Sequence, residues 1–206
     1  MKEKSFAKEQ ELFAAALEEF TQNPYEEASL NTILKNAKVS KGVFYYHFAD
    51  KQALYLYLLQ KATKEKWAFI TQQSAAGTAT AATLFEQFRV QARFGLQFAQ
   101  QHPHYHKLGR MLAKEAGKPI YEIAKRQLQP GGEQQLASLV DAAMARGELQ
   151  PGYTREFLIQ LLSFLFSGFD EVFGADAAAD LNQLLANLDQ YVEFMQRGLG
   201  GEARPQ

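Results

Sequence analysis

The sequence predicts an all-α protein in two parts, a small N-terminal unit built around a helix-turn-helix and a larger C-terminal helical unit. Three observations carry that prediction. Apolar residues recur at helical spacing along the whole chain, and strand-like alternation is absent. Two short helices near the start are separated by only about four residues, the outline of a helix-turn-helix. From Thr71 the composition turns small and polar, in "TQQSAAGTATAAT", a natural joint between two units. The expected division is residues 1–50, a connecting helix over about 51–70, and residues 71–206.

The elements follow in order. Leu12, Phe13, Ala16, Leu17 and Phe20 share one face of a first helix over about Phe6–Thr21. "QNPYEE" ends it, because Pro24 disfavours helical geometry at Asn23. Ser29 is the expected N-cap of a second helix, with Leu30, Ile33, Leu34 and Ala37 on its apolar face. After the turn "AKVS", Ser40 caps a third helix that runs to about Phe48. Asp50 caps a fourth, "KQALYLYLLQKATKEKWAFI". Beyond the joint, helices are expected over about Leu84–Gln101, Tyr105–Ala116, Pro119–Gln129, Glu133–Arg146, Thr154–Phe173 and Ala177–Arg197. "GLGGEARPQ" reads as a frayed tail.

Composition removes several classes of function. The 206 residues contain no cysteine, so disulfides, thiolate metal sites and cysteine nucleophiles are excluded. The start, "MKEKSFAKEQELF", has no apolar run of signal-peptide kind. The greasiest stretch, Phe157 to Phe169, is interrupted by Gln160, Ser163 and Ser167. It is too short for a membrane span, which needs about 20 apolar residues. A cytoplasmic location with no membrane partner is therefore expected. The net charge of −1 points to no partner, but its distribution does. Acids gather early, at Glu9, Glu11, Glu18, Glu19, Glu26 and Glu27. Bases follow at Lys35, Lys38, Lys41 and Lys51, with Asp50 opposing them. Nucleic-acid binding depends on such a local patch rather than on the total.

The stretch "VSKGVFYYHFADK", Val39 to Lys51, packs four aromatic rings and a histidine into the positions Phe44 to Phe48. Phe44 and Phe48 are one helical turn apart and, with Val39, pin the third helix to the first two. Lys41, Gly42, Val43, Tyr45, Tyr46 and His47 then occupy the other face. In a helix-turn-helix the second helix lies in the DNA major groove, with its N-terminal residues facing base edges. Gly42 lets a backbone approach closely. Val43 and Tyr45 suit thymine methyl groups, and the Tyr45 hydroxyl can bond a base edge. Tyr46, His47 and Lys51 carry donors for phosphate oxygens.

These residues, in "SLNTILKNAKVSKGVFYYHFADKQAL", resemble the DNA-binding signature of the tetracycline-repressor (TetR) family of bacterial transcriptional regulators. The resemblance covers about residues 6–55 and rests on Ser40-Lys41-Gly42, Phe44-Tyr45, Phe48 and Lys51. It implies a repressor that binds an operator in double-stranded DNA. It places Asn31 on a base, and Ser29 as a cap that touches phosphate. Lys41, Gly42 and Tyr45 fall at base edges, and Val43, Tyr46, His47 and Lys51 fall on the backbone. Two positions depart from the pattern. Lys38 stands where glycine is usual; if the turn needs a positive φ, lysine costs about 1 kcal/mol there and can offset it by reaching a phosphate. Val43 replaces a common hydroxyl residue and removes a phosphate donor.

The resemblance also implies a homodimer formed by the last two helices, and a small-molecule effector bound in the larger unit. The helix from Thr154 is apolar nearly all round, which requires burial on more than one side. Apolar pocket walls are expected from Phe88, Phe94, Phe98, Met111, Tyr121 and Phe166, with Asp170 among them or at an exposed helix end. No cofactor is expected. "HPHYH" brings His102, His104 and His106 together, but no cysteine or evident carboxylate completes a metal set. "SFAK", Ser5 to Lys8, matches S-x-x-K without its companion motifs. An enzyme acting on an apolar substrate would need a nucleophile–base pair or a metal set, and none stands out. The other alternative is a helical adaptor that binds protein.

Overall fold

The computed structural model describes residues 8–76, 83–128, 132–173 and 181–201. Ten helices run through these residues, with two isolated β-bridges beside them. They are α1 (Glu9–Gln22), α2 (Leu30–Ala37), α3 (Lys41–His47), α4 (Lys51–Ala76), α5 (Leu84–Gln101), α6 (Pro103–Lys114), α7 (Pro119–Leu128), α8 (Gly132–Ala145), α9 (Arg155–Phe173) and α10 (Leu181–Leu199).

Two compact units emerge. The first holds Met1–Trp67 with Ala99–Leu128, so α6 and α7 share a unit with the first three helices. The second holds Ala68–Phe98 with Gln129–Gln206.

In the first unit, Leu12, Phe13, Ala16 and Phe20 line one face of α1, as their spacing requires. They meet Ile33, Leu34 and Ala37 of α2, Phe44 of α3, and Leu54, Tyr55 and Leu58 of α4. Leu108 of α6, with Ile120 and Ala124 of α7, completes the same core. In the second unit, Leu84 and Phe85 of α5 pack with Val140 of α8, Leu158 and Leu162 of α9, and Leu188, Val192 and Met195 of α10. Arg93 grips Asp189 with two bonds of 2.9 and 2.8 Å. Tyr191 donates its hydroxyl to Leu165 O at 2.8 Å.

Several boundaries differ from the sequence reading. The expected start of α1 at Phe6 lies outside the described residues, as does that of α10 at Ala177. The helix α4 continues to Ala76, through the first part of the expected joint. Gln, Ser and Ala are acceptable in a helix, so small and polar composition alone did not end it. The helix α6 begins at Pro103 rather than Tyr105. Proline at the first helical position loses no hydrogen bond, and its φ is already helical. The start of the supposed frayed tail is fixed. Gly201 N–H donates to Glu148 O at 2.9 Å, and Leu199 O accepts from Gln150 N–H at 2.9 Å. A side chain at Gly201 would meet Gly147 O at 2.7 Å, so glycine permits this close pairing.

Candidate nucleic-acid interface

The site begins at the entry to α2. Ser29 caps that helix by accepting the Thr32 N–H at 3.3 Å, while its own N–H donates to Glu19 Oε1 at 2.8 Å. A hydroxyl that satisfies an otherwise orphaned helical amide explains why serine stands there. Asn31 follows on the exposed side of the first turn. At the far end Lys38 takes up left-handed geometry, with φ 52° and ψ 41°. Val39 N–H then reaches back to Leu34 O at 3.0 Å, closing a Schellman turn. The turn does need a positive φ, and a lysine supplies it.

Ser40 repeats the capping device for α3 and accepts the Val43 N–H at 3.3 Å. Phe44 is fully buried and Phe48 nearly so, with their rings 5.7 Å apart. Phe48 also meets Phe13 and Tyr57 edge-on, at 6.3 and 5.6 Å. These contacts fix the rotation of α3 and turn its other face outward. Val43, Tyr45 and Tyr46 are 42%, 56% and 69% exposed. Lys41 and Gly42 are exposed and His47 is half-buried. A side chain added at Gly42 would meet nothing within 4 Å, so the fold itself does not require glycine there.

An open groove of about 710 Å³ runs along this face. Lys8, Lys38, Val39, Ser40, Gly42, Val43, Tyr46 and His47 line it. Sequence reading missed Lys8, whose ammonium donates to Lys38 O at 2.7 Å and joins the start of α1 to the left-handed turn. Thirty residues separate the two, and no local pattern signals such a pairing. Asn31, Lys41 and Tyr45 are exposed but do not line this groove.

Lys51 departs from its expected role. Its ammonium donates to the carbonyls of Tyr25, Glu26 and Ala28 at 2.7, 3.3 and 2.9 Å. It also lies 4.5 Å from the centre of the Tyr25 ring. An ammonium has three protons, and all three are engaged. The side chain thus holds the α1–α2 link instead of offering a donor to phosphate.

The residues proposed around a small molecule divide between the units. Phe88 and Phe166 stack at 4.1 Å and 9°, and both pack on the core of the second unit. Phe98 is buried and tilts on Phe69 at 5.7 Å, and Phe94 is half-buried. Met111 and Tyr121, also half-buried, belong to the first unit. The Asp170 side chain lies outside the described residues. His102 precedes α6 and stacks on Tyr105 at 5.9 Å, and His104 is exposed. His106 is half-buried in α6. Among the described residues, no three histidine or carboxylate side chains are grouped to hold a metal ion. No described helix is long and apolar enough to cross a membrane.

Comparison with known proteins agrees with this geometry. Residues 12–58 match the family described as bacterial regulatory proteins, tetR family. A TetR family transcriptional regulator from Chloroflexus aurantiacus J-10-FL superposes with a TM-score of 0.71, at 26% identity, over 94% of this chain and 93% of that one. The chain carries, over residues 12–58, the N-terminal segment of the TetR family. Its fold, a helix-turn-helix unit ahead of a larger helical part, is that of TetR structures, and it is a DNA-binding transcriptional regulator. A probable acrEF/envCD operon repressor from Escherichia coli K12 is 25% identical over 164 residues, 77% of this chain and 72% of that protein. The regulator FadR from Bacillus subtilis, solved in complex with stearoyl-CoA, shares the TetR fold. Its TM-score is 0.69 at 16% identity, over 92% of this chain and 98% of that one.

Proposed function

We propose that the protein is a repressor that binds a pseudo-palindromic operator as a homodimer and releases it when a small apolar or aromatic molecule binds. One observation carries the DNA side of this reading. The helix α3 spends Phe44 on the core and displays Lys41, Gly42, Val43, Tyr45 and Tyr46 to solvent at the edge of an open groove. Lysine there serves phosphate and base edges, and tyrosine and valine serve base edges and methyl groups. The 25%-identical relative named as an operon repressor supports repression over activation. The stearoyl-CoA held by the Bacillus subtilis relative supports an apolar effector.

Exposed rings support the dimer. Phe157, Phe164 and Val172 recur at helical spacing on α9 and are 45%, 69% and 66% exposed. Phe194 on α10 is 68% exposed. Apolar groups this exposed on two neighbouring helices suit a self-complementary two-fold contact. A two-fold dimer presents two α3 helices to two half-sites.

The mechanism is a population shift: an effector that prefers a dimer unable to seat both recognition helices lowers DNA affinity. The test is a screen of acyl and aromatic compounds against the protein bound to its operator. A true effector binds the free protein more tightly than the DNA-bound protein, by the same factor by which it weakens DNA binding. Equal affinity for the two forms contradicts release.

A further inference from the structure

We propose that Glu115, just beyond the C-terminus of α6, is a positioning residue for DNA reading that holds the peptide from which α2 is launched. The inference rests on the DNA-binding role of α2 and α3 and adds a residue far outside the segment 12–58 that carries the family signature.

Among the described residues, Glu115 is the one charged side chain that is buried, at 3% exposure. A carboxylate gives up much of its hydration in such a place, so its partners matter. Its Oε1 accepts the Tyr25 N–H at 3.1 Å, across ninety positions of sequence. Its Oε2 pairs with the Lys118 ammonium at 2.7 Å, on the half-exposed side. The other end of the Tyr25 residue is held as well, since Tyr25 O accepts from Lys51 Nζ at 2.7 Å. The Tyr25 ring stacks on Phe20 at 6.4 Å and tilts against Tyr55 at 4.9 Å.

The short link from Tyr25 to Ala28 is thus gripped by three charged groups from three separate parts of the chain. Glu19 of α1 takes the Ser29 N–H at its end, Lys51 of α4 gathers three of its carbonyls, and Glu115 takes its first amide. No charge on the link itself explains this, because these bonds go to its backbone. The direction of α2 is set where the link delivers Ser29, and α3 follows α2 through the Schellman turn at Lys38. A displaced Tyr25 peptide therefore shifts Asn31 and the exposed face of α3 together. Glu115 itself offers DNA nothing, being buried and negative.

The test uses the full-length protein and a duplex selected by the wild type from a randomised pool. Glu115→Met keeps the bulk and removes the acceptor, and Glu115→Gln keeps an oxygen for the Tyr25 N–H. For Glu115→Met the expected result is an affinity loss of about tenfold, with the slope of affinity against salt unchanged because no phosphate contact is lost. Glu115→Gln is expected to restore most of the affinity. A folded Glu115→Met variant that binds like the wild type overturns the proposal, and so does a slope reduced by about one. Should Glu115→Met fail to fold, amide exchange in the wild type decides. By reciprocity, binding of the duplex must slow exchange at Tyr25, and an unchanged rate overturns the proposal. A pool from which the wild type enriches no duplex overturns the DNA reading itself, and this inference with it.

Discussion

At Lys38 and Gly42 the side chains stand opposite to what the local backbone prefers. Lys38 holds φ 52°, where glycine would sit without strain. Gly42 lies inside α3 with open space where a side chain could go. If both residues serve DNA, substitutions that suit the fold must harm binding. Lys38→Gly is expected to raise unfolding free energy by about 1 kcal/mol, and Gly42→Ala by about 0.5–1 kcal/mol, in urea titrations. Both are expected to weaken binding to the selected duplex. Lys38→Gly alone should also lower the salt slope, by about one, through loss of a phosphate contact. Stabilised variants that bind as well as the wild type would remove these residues from the interface. Lys51 makes the contrary case. With its ammonium shared among three carbonyls, Lys51→Ala is expected to lower stability and affinity while leaving the salt slope intact. Parallel denaturation and salt-series measurements on this variant separate the two roles. Sequence pattern alone had placed that charge on the phosphate backbone. A lysine at a helix start looks the same whether it faces solvent or a ring of carbonyls.

At the scale of elements, what could be read from the sequence was local. The caps at Ser29 and Ser40 and the inward pair Phe44 and Phe48 all follow from residues within a few positions of one another. The partnership of Glu115 with Tyr25 spans ninety positions and leaves no periodic trace, so only the folded chain reveals it. That partnership predicts a pH dependence. The paired Lys118 ammonium, and secondarily the Tyr25 N–H, hold the Glu115 carboxyl below the ordinary carboxylate range, against the opposing effect of burial. A depressed folded pKa means that the unfolded chain takes up the proton first on acidification. The stabilisation is thus complete above the ordinary glutamate value, about 4.3, and fades as pH falls through the lower folded value. The stability gap between wild type and Glu115→Gln, from urea denaturation, should therefore be widest near neutrality and shrink below about pH 4. A gap that does not change with pH would mean that the Lys118 pair contributes nothing.

For the whole molecule, the proposed assembly rests on the apolar surface of α9 and α10. Phe164 and Phe194 are more than two-thirds exposed, and apolar surface of this kind is favourably buried against a second molecule. Phe164→Glu combined with Phe194→Glu is expected to yield a folded monomer in sedimentation velocity and to abolish tight operator binding. A double variant that stays dimeric would place the interface elsewhere. The helical architecture was legible because helices such as α1, α2 and α10 carry apolar residues at the helical period. The small-molecule site was not legible in the same way. Phe88 against Phe166, and Phe98 against Phe69, have the contacts of ordinary core residues, and phenylalanine at helical spacing looks identical in both settings.

The most direct test of the central claim is fluorescence anisotropy of the full-length protein on duplexes selected from a randomised pool, against random competitor DNA, across a salt series. A two-fold related consensus is expected, bound tightly in the presence of competitor, with affinity falling steeply as salt rises because several phosphates are neutralised. Failure to enrich any sequence, with no binding to duplex DNA even at low salt, would contradict the assignment of α3 as a recognition helix.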